Sequence, residues 1–77
     1  MTPMDKKAEE QIKKDFGERL RKLRKEKGLS QENLALACGL DRTYIGGVER
    51  GERNPSLINI HKIALAIGMS AGSLLND

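Results

Sequence analysis

Apolar residues recur at helical spacing over most of the chain. In the amino-terminal third, four of them are separated by four, four and three positions, which places them on one side of a single helix. These residues are Ile12, Phe16, Leu20 and Leu23. The pattern predicts a helix from about Ala8 to Gly28, where glycine favours a helix end.

Four shorter helical segments follow, each opened by a residue type that caps helix starts, and most are closed by glycine. The starting residues are Ser30, Asp41, Ser56 and Ser70, and the closing glycines are Gly39, Gly51 and Gly68. No alternating β-branched stretch competes with this pattern, so it predicts an all-α protein of five helices.

The helical pattern indicates one domain. Residues 1–7 lack apolar periodicity and are predicted to form a flexible tail, whereas residues 8–77 are predicted to form the domain. A chain of 77 residues is close to the lower limit at which one hydrophobic core supports itself. We therefore expect a partner subunit to contribute to stability.

The second and third helices form the central unit of the chain. Both are short, and the connection Gly39-Leu40-Asp41 leaves room only for a sharp turn, which is typical of a helix-turn-helix. Helical periodicity divides the third helix into a core side and a polar side. The core side holds Tyr44, Ile45 and Val48, and the polar side holds Arg42, Thr43, Gly46 and Arg50.

The polar side carries chemistry suited to DNA. Arginine near the amino end of an exposed helix matches the N7 and O6 acceptors of guanine with its planar fork, and Arg42 occupies that place. Thr43 is a candidate for contact with a phosphate or a thymine methyl group. Gln31, in the first turn of the second helix, is a candidate for phosphate contact.

Gly46 and Gly47 lie in the middle of the third helix, where two glycines cost roughly 1 to 2 kcal/mol relative to alanines. Such a cost suggests that the backbone closely approaches something else. Two alternatives are open, an approach to DNA and an approach to the second helix.

Charge permits nucleic-acid binding without indicating it alone. The formal charge is +3, but residues 1–30 hold ten Lys or Arg against six Asp or Glu, whereas residues 31–77 hold four against five. The central unit is therefore nearly neutral, and DNA binding would depend on shape and on specific side chains.

The composition argues against catalysis and metal binding. Cys38 is the only cysteine and His61 the only histidine, so we expect no zinc cluster, no cofactor and no intrachain disulfide. Cys38 is expected to serve in packing, and His61 is expected to be a packing or rim residue. The sequence has neither a glycine-rich phosphate loop nor a group of carboxylates, so we expect that the protein is not an enzyme. The chain shows neither a signal peptide nor an apolar membrane span, so we expect a cytoplasmic protein without a membrane partner.

The segment from about Phe16 to Leu75 resembles the Cro/C1-type (XRE-like) helix-turn-helix family, over about four-fifths of the chain. The matching features are Gly28-Leu29-Ser30-Gln31-Glu32, Leu34-Ala35, Gly39-Leu40, Tyr44-Ile45, Glu49-Arg50-Gly51 and Asn54-Pro55-Ser56. Within the family, Leu40-Asp41-Arg42-Thr43-Tyr44-Ile45 followed by Gly47 is most similar to the controller proteins of restriction-modification systems. These are small dimeric regulators that bind operators upstream of their own gene and the endonuclease gene, and they often have serine where this chain has Gly46.

The resemblance implies a compact, lambda-repressor-like domain that binds DNA as a homodimer and regulates its own promoter. It would bind a palindromic operator in double-stranded DNA, in the bacterial cytoplasm and on the nucleoid when bound. RNA polymerase is a possible further partner, and the resemblance suggests Glu49 and Glu52 as its contact surface.

The resemblance also implies roles for individual residues. Arg24 is expected to form a buried or half-buried ion pair with Glu49 behind the third helix. Contacts to the DNA backbone or to further bases are expected from three residues at the end of that helix and beyond, Arg50, Arg53 and Asn54. Tyr44 has two alternatives, packing in the core or turn, and contact with DNA phosphate or sugar.

The fourth helix has two apolar sides. One is predicted to complete the core and comprises Leu57, Ile60, Ile63, Ala64 and Ile67. The other, together with the fifth helix, is a candidate dimer interface, comprising Ile58, His61, Leu65, Leu74 and Leu75. The alternative is that these residues only finish the core. A two-fold dimer would hold two recognition helices roughly 34 Å apart, one DNA turn.

Two other functions remain as alternatives. An antitoxin of a toxin–antitoxin pair would bind a protein and add DNA autoregulation, and residues 1–15, charged and poor in apolar side chains, are the only candidate for toxin capture. A phage-type repressor is the second alternative.

Overall fold

The computed structural model describes residues 2–76, and this range holds five α-helices and no strand. The helices are α1 (Lys6–Glu26), α2 (Gln31–Cys38), α3 (Arg42–Glu49), α4 (Leu57–Ile67) and α5 (Ala71–Leu75). The prediction of an all-α, five-helix domain is confirmed. Met1 of the predicted tail and Asp77 of the predicted domain lie outside the described residues.

Side chains cap the start of every helix. The caps of α2 to α5 are the predicted ones, Ser30, Asp41, Ser56 and Ser70. The start of α1 was predicted too late. The carboxylate of Asp5 accepts a hydrogen bond from the backbone N–H of Ala8 at 2.8 Å, so the helix begins at Lys6 and includes part of the predicted tail.

The core lies where the helices meet, and six large side chains in it are fully buried. They are Leu20, Leu34, Ile45, Val48, Ile63 and Leu74. Cys38 is buried beside them, as expected of a packing residue, whereas His61 is exposed.

Leu57, which is predicted to lie in the core, is exposed, and so is Ile12 of the apolar side predicted for the first helix. Ile12 is 53% exposed because it precedes Lys14 and Gly17, the residues at which α1 contacts the end of α3. Leu57 is 68% exposed because it lies at the edge of the buried side of α4, next in rotation to exposed His61.

A close backbone contact joins α1 to the carboxyl end of α3. A methyl group on Gly17 would lie 2.5 Å from the carbonyl oxygen of Glu49, so only glycine fits there. Gly51, just beyond α3, has a φ of 77°, and a methyl group on it would lie 2.9 Å from Cα of Lys14. This contact fixes the direction of α3 against the long first helix.

Arg19 connects α1 to the last helix. Its Nε donates to the carbonyl oxygen of Leu74 at 2.8 Å, and its Nη2 donates to that of Ser73 at 2.7 Å. These are carbonyl groups of the last turn of α5, which have no partner inside the helix. The guanidinium therefore holds α5 against α1.

Candidate nucleic-acid interface

The turn between α2 and α3 exposes the amino end of α3. Gly39 adopts the left-handed conformation with φ of 70°, and the next N–H, that of Leu40, donates to the carbonyl oxygen of Ala35 at 3.0 Å. Asp41 then caps α3 by accepting from the N–H of Thr43 at 3.2 Å. Arg42, the first residue of α3, follows directly and is exposed.

Arg42 and Thr43 lie where the sequence placed them. Both side chains are exposed at the first turn of α3, so both are accessible to a ligand. The hydroxyl of Thr43 also donates to the carboxylate of Asp41 at 3.1 Å, which fixes its orientation beside Arg42.

A buried ion pair fixes the other end of α3. Nε of Arg24 lies 2.6 Å from Oε2 of Glu49, and Nη2 lies 3.0 Å from Oε1, so the guanidinium and the carboxylate meet through two parallel bonds. Both residues are less than a tenth exposed. The hydrogen bond with Glu49 raises the pKa of Arg24, although burial acts in the opposite direction. The pair implied by the resemblance is therefore present.

The same ion pair reaches two further parts of the unit. Nη1 of Arg24 donates to the carbonyl oxygen of Leu29 at 2.8 Å, just before α2 begins. Nε2 of Gln31 donates to Oε1 of Glu49 at 3.0 Å. The sequence pattern did not predict this second bond, because the rotation of α2 against α3 decides which of its residues faces Glu49.

Gly46 and Gly47 are buried, and Gly46 lies on the polar side of α3, where other side chains cover it. A methyl group on Gly46 would lie 3.1 Å from Nη1 of Arg50 and 3.6 Å from Oε1 of Gln31. A methyl group on Gly47 would lie 2.8 Å from Cγ of Arg53. Of the two alternatives for the close approach, the structure shows the one toward α2 at Gly46, through Gln31.

Arg50 and Arg53 extend the exposed polar side beyond the end of α3. Nε of Arg50 donates to the carboxylate of Glu52 at 3.1 Å, and this hydrogen bond lowers the pKa of Glu52. The guanidinium of Arg53 lies over the ring of Tyr44, 5.9 Å from its centre. Both arginines are exposed.

Tyr44 and Asn54 lie at opposite edges of this region. Tyr44 is half-buried, and its hydroxyl accepts a hydrogen bond from Nδ2 of Asn59 at 3.1 Å. The packing alternative for Tyr44 is therefore present in the free protein. Asn54 is exposed and lines a shallow depression beside α1 with Ile12 and Lys13.

We call the exposed residues of this region the recognition surface: Arg42, Thr43, Arg50, Arg53 and Asn54.

Known proteins are similar to this chain in both sequence and fold. A family model described as helix-turn-helix matches residues 20–74. The control protein C.MunI from Mycoplasma sp is 49% identical over 67 residues, which cover 86% of this chain and 90% of that protein. The restriction-modification controller protein C.AhdI from Aeromonas hydrophila is 58% identical, with a TM-score of 0.79 over 80% of this chain and 94% of that chain. SinR, a master regulator of biofilm formation solved in complex with DNA, is 34% identical, with a TM-score of 0.75 over 79% of this chain and 98% of that chain.

The chain belongs to the helix-turn-helix family. The resemblance to restriction-modification controller proteins that the sequence suggested is thereby confirmed. Helix-turn-helix proteins of this family are DNA-binding transcription regulators, so the expectation of a regulator rather than an enzyme is confirmed as well. None of the helices in residues 2–76 is both long and apolar enough to cross a membrane.

This helix-turn-helix protein carries an exposed apolar stripe on α4. The stripe comprises Leu57, Ile58 and Leu65, with His61 between them, and Leu65 is 82% exposed. Leu75 of α5 is also exposed, but Leu74 is 0% exposed. The assignment of Leu74 to a dimer interface is therefore wrong, because α5 turns that residue into the core and its neighbour outward. The other predicted interface residues are exposed.

Proposed function

We propose that the protein is the controller protein of a restriction-modification system, binding as a homodimer to a palindromic operator upstream of its own gene. The observation that carries the proposal is the recognition surface on α3, whose far end is fixed by the buried pair of Arg24 and Glu49. A helix held rigidly at one end and exposed at the other suits insertion into the major groove. The likeness to C.MunI and C.AhdI supports the choice of regulator.

Arg42 is proposed to provide the main base contact. It lies at the first turn of α3 and is exposed, which suits a bidentate contact with guanine. Thr43 beside it would contact a phosphate or a thymine methyl group. At the other end of the recognition surface, Arg50, Arg53 and Asn54 would contact the backbone or further bases.

Gln31 is proposed to hold a phosphate at the start of α2. Its amide nitrogen has two hydrogens and donates one of them to Glu49, so the second is available to a phosphate oxygen. The first backbone N–H groups of α2, which have no partner inside the helix, would donate to the same phosphate. The buried carboxylate would thus orient a DNA contact indirectly.

The α4 stripe and Leu75 are proposed to form the dimer interface. Exposed apolar side chains this close together are costly in a monomer and are removed from water in a two-fold dimer. The dimer would present two copies of α3 roughly 34 Å apart, which demands a palindromic site. Ile58, His61 and Leu65 retain their predicted interface role in this proposal.

Contact with RNA polymerase is proposed to involve Glu52 rather than Glu49. Glu49 is buried and paired on both oxygens, so it is inaccessible to a partner protein, whereas Glu52 is exposed beside Arg50. We also propose that the protein acts in the bacterial cytoplasm, on the nucleoid when its operator is bound.

The proposal is tested by footprinting the DNA just upstream of the gene with purified protein, followed by two variants. Arg42→Ala should lose about 1 to 3 kcal/mol of binding free energy and relax specificity at one base pair in each half-site. Gln31→Ala should weaken binding to all sequences more evenly, because phosphate contacts carry no sequence information. An equal loss on specific and random DNA for Arg42→Ala would remove its proposed role. Recovery of a stoichiometric protein partner from the host would favour an antitoxin instead.

A further inference from the structure

The two glycines in the middle of α3 lie directly beneath two arginines of the recognition surface. The point where a methyl group would be added to Gly46 lies 3.1 Å from Nη1 of Arg50, and that for Gly47 lies 2.8 Å from Cγ of Arg53. The glycines are buried and the arginines exposed, so each arginine folds back over a residue without a side chain. We propose that Gly46 and Gly47 are positioning residues, each holding one arginine close to the helix in the orientation that it uses on DNA. This rests on the proposed DNA-binding function.

Gly46 brings two DNA-binding side chains together. The point where a methyl group would be added to Gly46 lies 3.6 Å from Oε1 of Gln31 as well as close to the guanidinium of Arg50. Both side chains therefore converge over the glycine. The amide of Gln31 is already oriented by its bond to Glu49. A methyl group at position 46 would therefore push the guanidinium of Arg50 away, while the amide of Gln31 would stay at an ordinary contact distance.

Gly47 supports the stacking of Arg53 on Tyr44. The aliphatic part of Arg53 crosses Gly47, and its guanidinium then lies over the ring, 5.9 Å from the centre. The ring in turn is anchored by the hydrogen bond from Asn59 to its hydroxyl. A methyl group on Gly47 would displace Arg53 from the ring while leaving the anchor in place.

The fold itself does not require glycine at either position. Gly46 faces the guanidinium end of Arg50, which can move aside, and Gly47 faces Cγ of Arg53, an exposed side chain that can rotate away as a whole. Gly17 faces backbone carbonyl groups, which can do neither. Glycine is less favourable than alanine inside a helix. Gly46 and Gly47 therefore weaken the helix without being needed for the fold. Their effect on the positions of Arg50 and Arg53 explains their presence.

The first experiment compares stability with DNA binding for Gly46→Ala and Gly47→Ala. Each variant should melt no earlier than the wild type, yet lose about tenfold in affinity for a duplex from upstream of the gene. Loss on a random-sequence duplex should be smaller. Gly72→Ala is the matched control, because Gly72 lies exposed in α5 with only Oγ of Ser70 nearby, so its affinity should not change. Unchanged affinity in both α3 variants would overturn the proposal.

A double-mutant cycle tests whether each glycine acts through its own arginine. In the Arg50→Ala background, Gly46→Ala should cost no further affinity, whereas in the Arg53→Ala background it should retain its full effect. Gly47→Ala should show the reverse pattern. The same fold-loss for Gly46→Ala with and without Arg50 would contradict the assignment.

A third measurement is independent of DNA. Tyr44 is the only tyrosine and the chain has no tryptophan, so near-ultraviolet circular dichroism reports on this ring. Gly47→Ala and Arg53→Ala should change the signal in the same way, and Gly46→Ala should leave it unchanged. If the wild type binds neither duplex, the proposed function fails, and the Tyr44 signal still decides whether Gly47 holds Arg53. An unchanged signal in Gly47→Ala would overturn that part.

Discussion

At the scale of single residues, the carboxylate of Glu49 is the most heavily used group in the recognition unit. Its two oxygens accept two bonds from Arg24 and one from Gln31, and Arg24 adds a bond to the carbonyl oxygen of Leu29. A buried ion pair adds little net stability over a well-packed apolar pair, since both charges lose their water. The value of this one lies in orientation, because a single group aligns α1, α2 and α3.

Glu49→Gln should lower the free energy of unfolding by about 3 kcal/mol, because it leaves the buried guanidinium of Arg24 without a charged partner. Urea unfolding followed by far-ultraviolet circular dichroism measures the change. Glu52→Gln is the control. That carboxylate also pairs with an arginine but in full contact with solvent, so the midpoint should stay nearly the same. A Glu49→Gln midpoint equal to that of the wild type would show that the pair is not structural.

The buried thiol of Cys38 should make stability fall at alkaline pH. Burial raises the pKa of Cys38 above its ordinary 9.0, with the charge of Lys62 opposing the shift. The folded protein therefore holds this proton more tightly than the unfolded chain. Its contribution to stability is complete below the ordinary pKa and is lost as the pH rises through the folded pKa.

The check is the difference in unfolding free energy between the wild type and Cys38→Ala, measured from neutral pH upward. The advantage of the wild type should shrink above pH 9. A difference that stays constant to higher pH would mean that the thiol titrates alike in both states.

At the scale of elements, the arrangement of α1 and α3 depends on a contact between backbones rather than between side chains. Gly17 admits the carbonyl group of Glu49 so closely that no side chain fits, and Gly51 does the same for Lys14. Further along α1, Arg24 then pairs with the side chain of the same Glu49. Close approach and ion pairing thus act together to fix the recognition helix.

Gly17→Ala should destabilise the domain by about 1 to 3 kcal/mol, because the added methyl group meets backbone that cannot move aside. Alanine would otherwise favour the helix by up to about 1 kcal/mol, so the predicted sign is opposite to that of helix propensity. Thermal unfolding measures it, with Gly72→Ala as the control in which only propensity acts. A higher melting temperature for Gly17→Ala would contradict the close contact.

The elements could be predicted from the sequence because helix signals are local. Caps such as Ser30 and Asp41, and the turn glycine Gly39, act on residues next to them. Burial could be predicted only in part. Periodicity shows which side of a helix is apolar, but it does not show how far the neighbouring helices cover that side. Leu57 is predicted to lie in the core for that reason, although it is 68% exposed, and Ile12 of the apolar side of α1 is 53% exposed.

The candidate site shows the same division between local and distant causes. Arg42 and Thr43 were placed correctly by their position at the start of α3. The burial of Gly46 could not be predicted, because the side chains that cover it, those of Gln31 and Arg50, reach it from another helix and from beyond the end of its own. Leu74 and Leu75 are adjacent in a five-residue helix, too short for periodicity to separate inside from outside.

At the scale of the whole molecule, the charge and the apolar surface are distributed unevenly. Residues 1–30, largely α1, hold an excess of four positive charges, while residues 31–77, which include the central unit, hold an excess of one negative charge. Affinity for DNA phosphates is therefore modest in one protomer, and two copies of α3 acting together would compensate. The exposed stripe on α4 is the surface that would join them.

Leu65→Glu should shift the protein to monomer and weaken binding to a palindromic duplex far more than to a single half-site. A buried charge at the centre of the proposed interface would lack a partner. Sedimentation velocity and binding to both duplexes measure the effect. Leu36→Glu is the matched control, because Leu36 is likewise exposed, at 75%, but belongs to α2 and not to the stripe. Dimers that survive Leu65→Glu would exclude this surface as the interface.

The pair between Arg24 and Glu49 also has a consequence for how the domain opens. Its partners are 25 residues apart, and the segment between them contains all of α2 and nearly all of α3. Neither helix can detach without breaking a bond that encloses both, so they behave as one cooperative unit. The short α5 lies outside that enclosure and is held by the two bonds of Arg19 to α1 and by the buried side chain of Leu74 in the core. We therefore expect amide hydrogen exchange to be slow across α2 and α3, the part of the chain that is proposed to bind DNA.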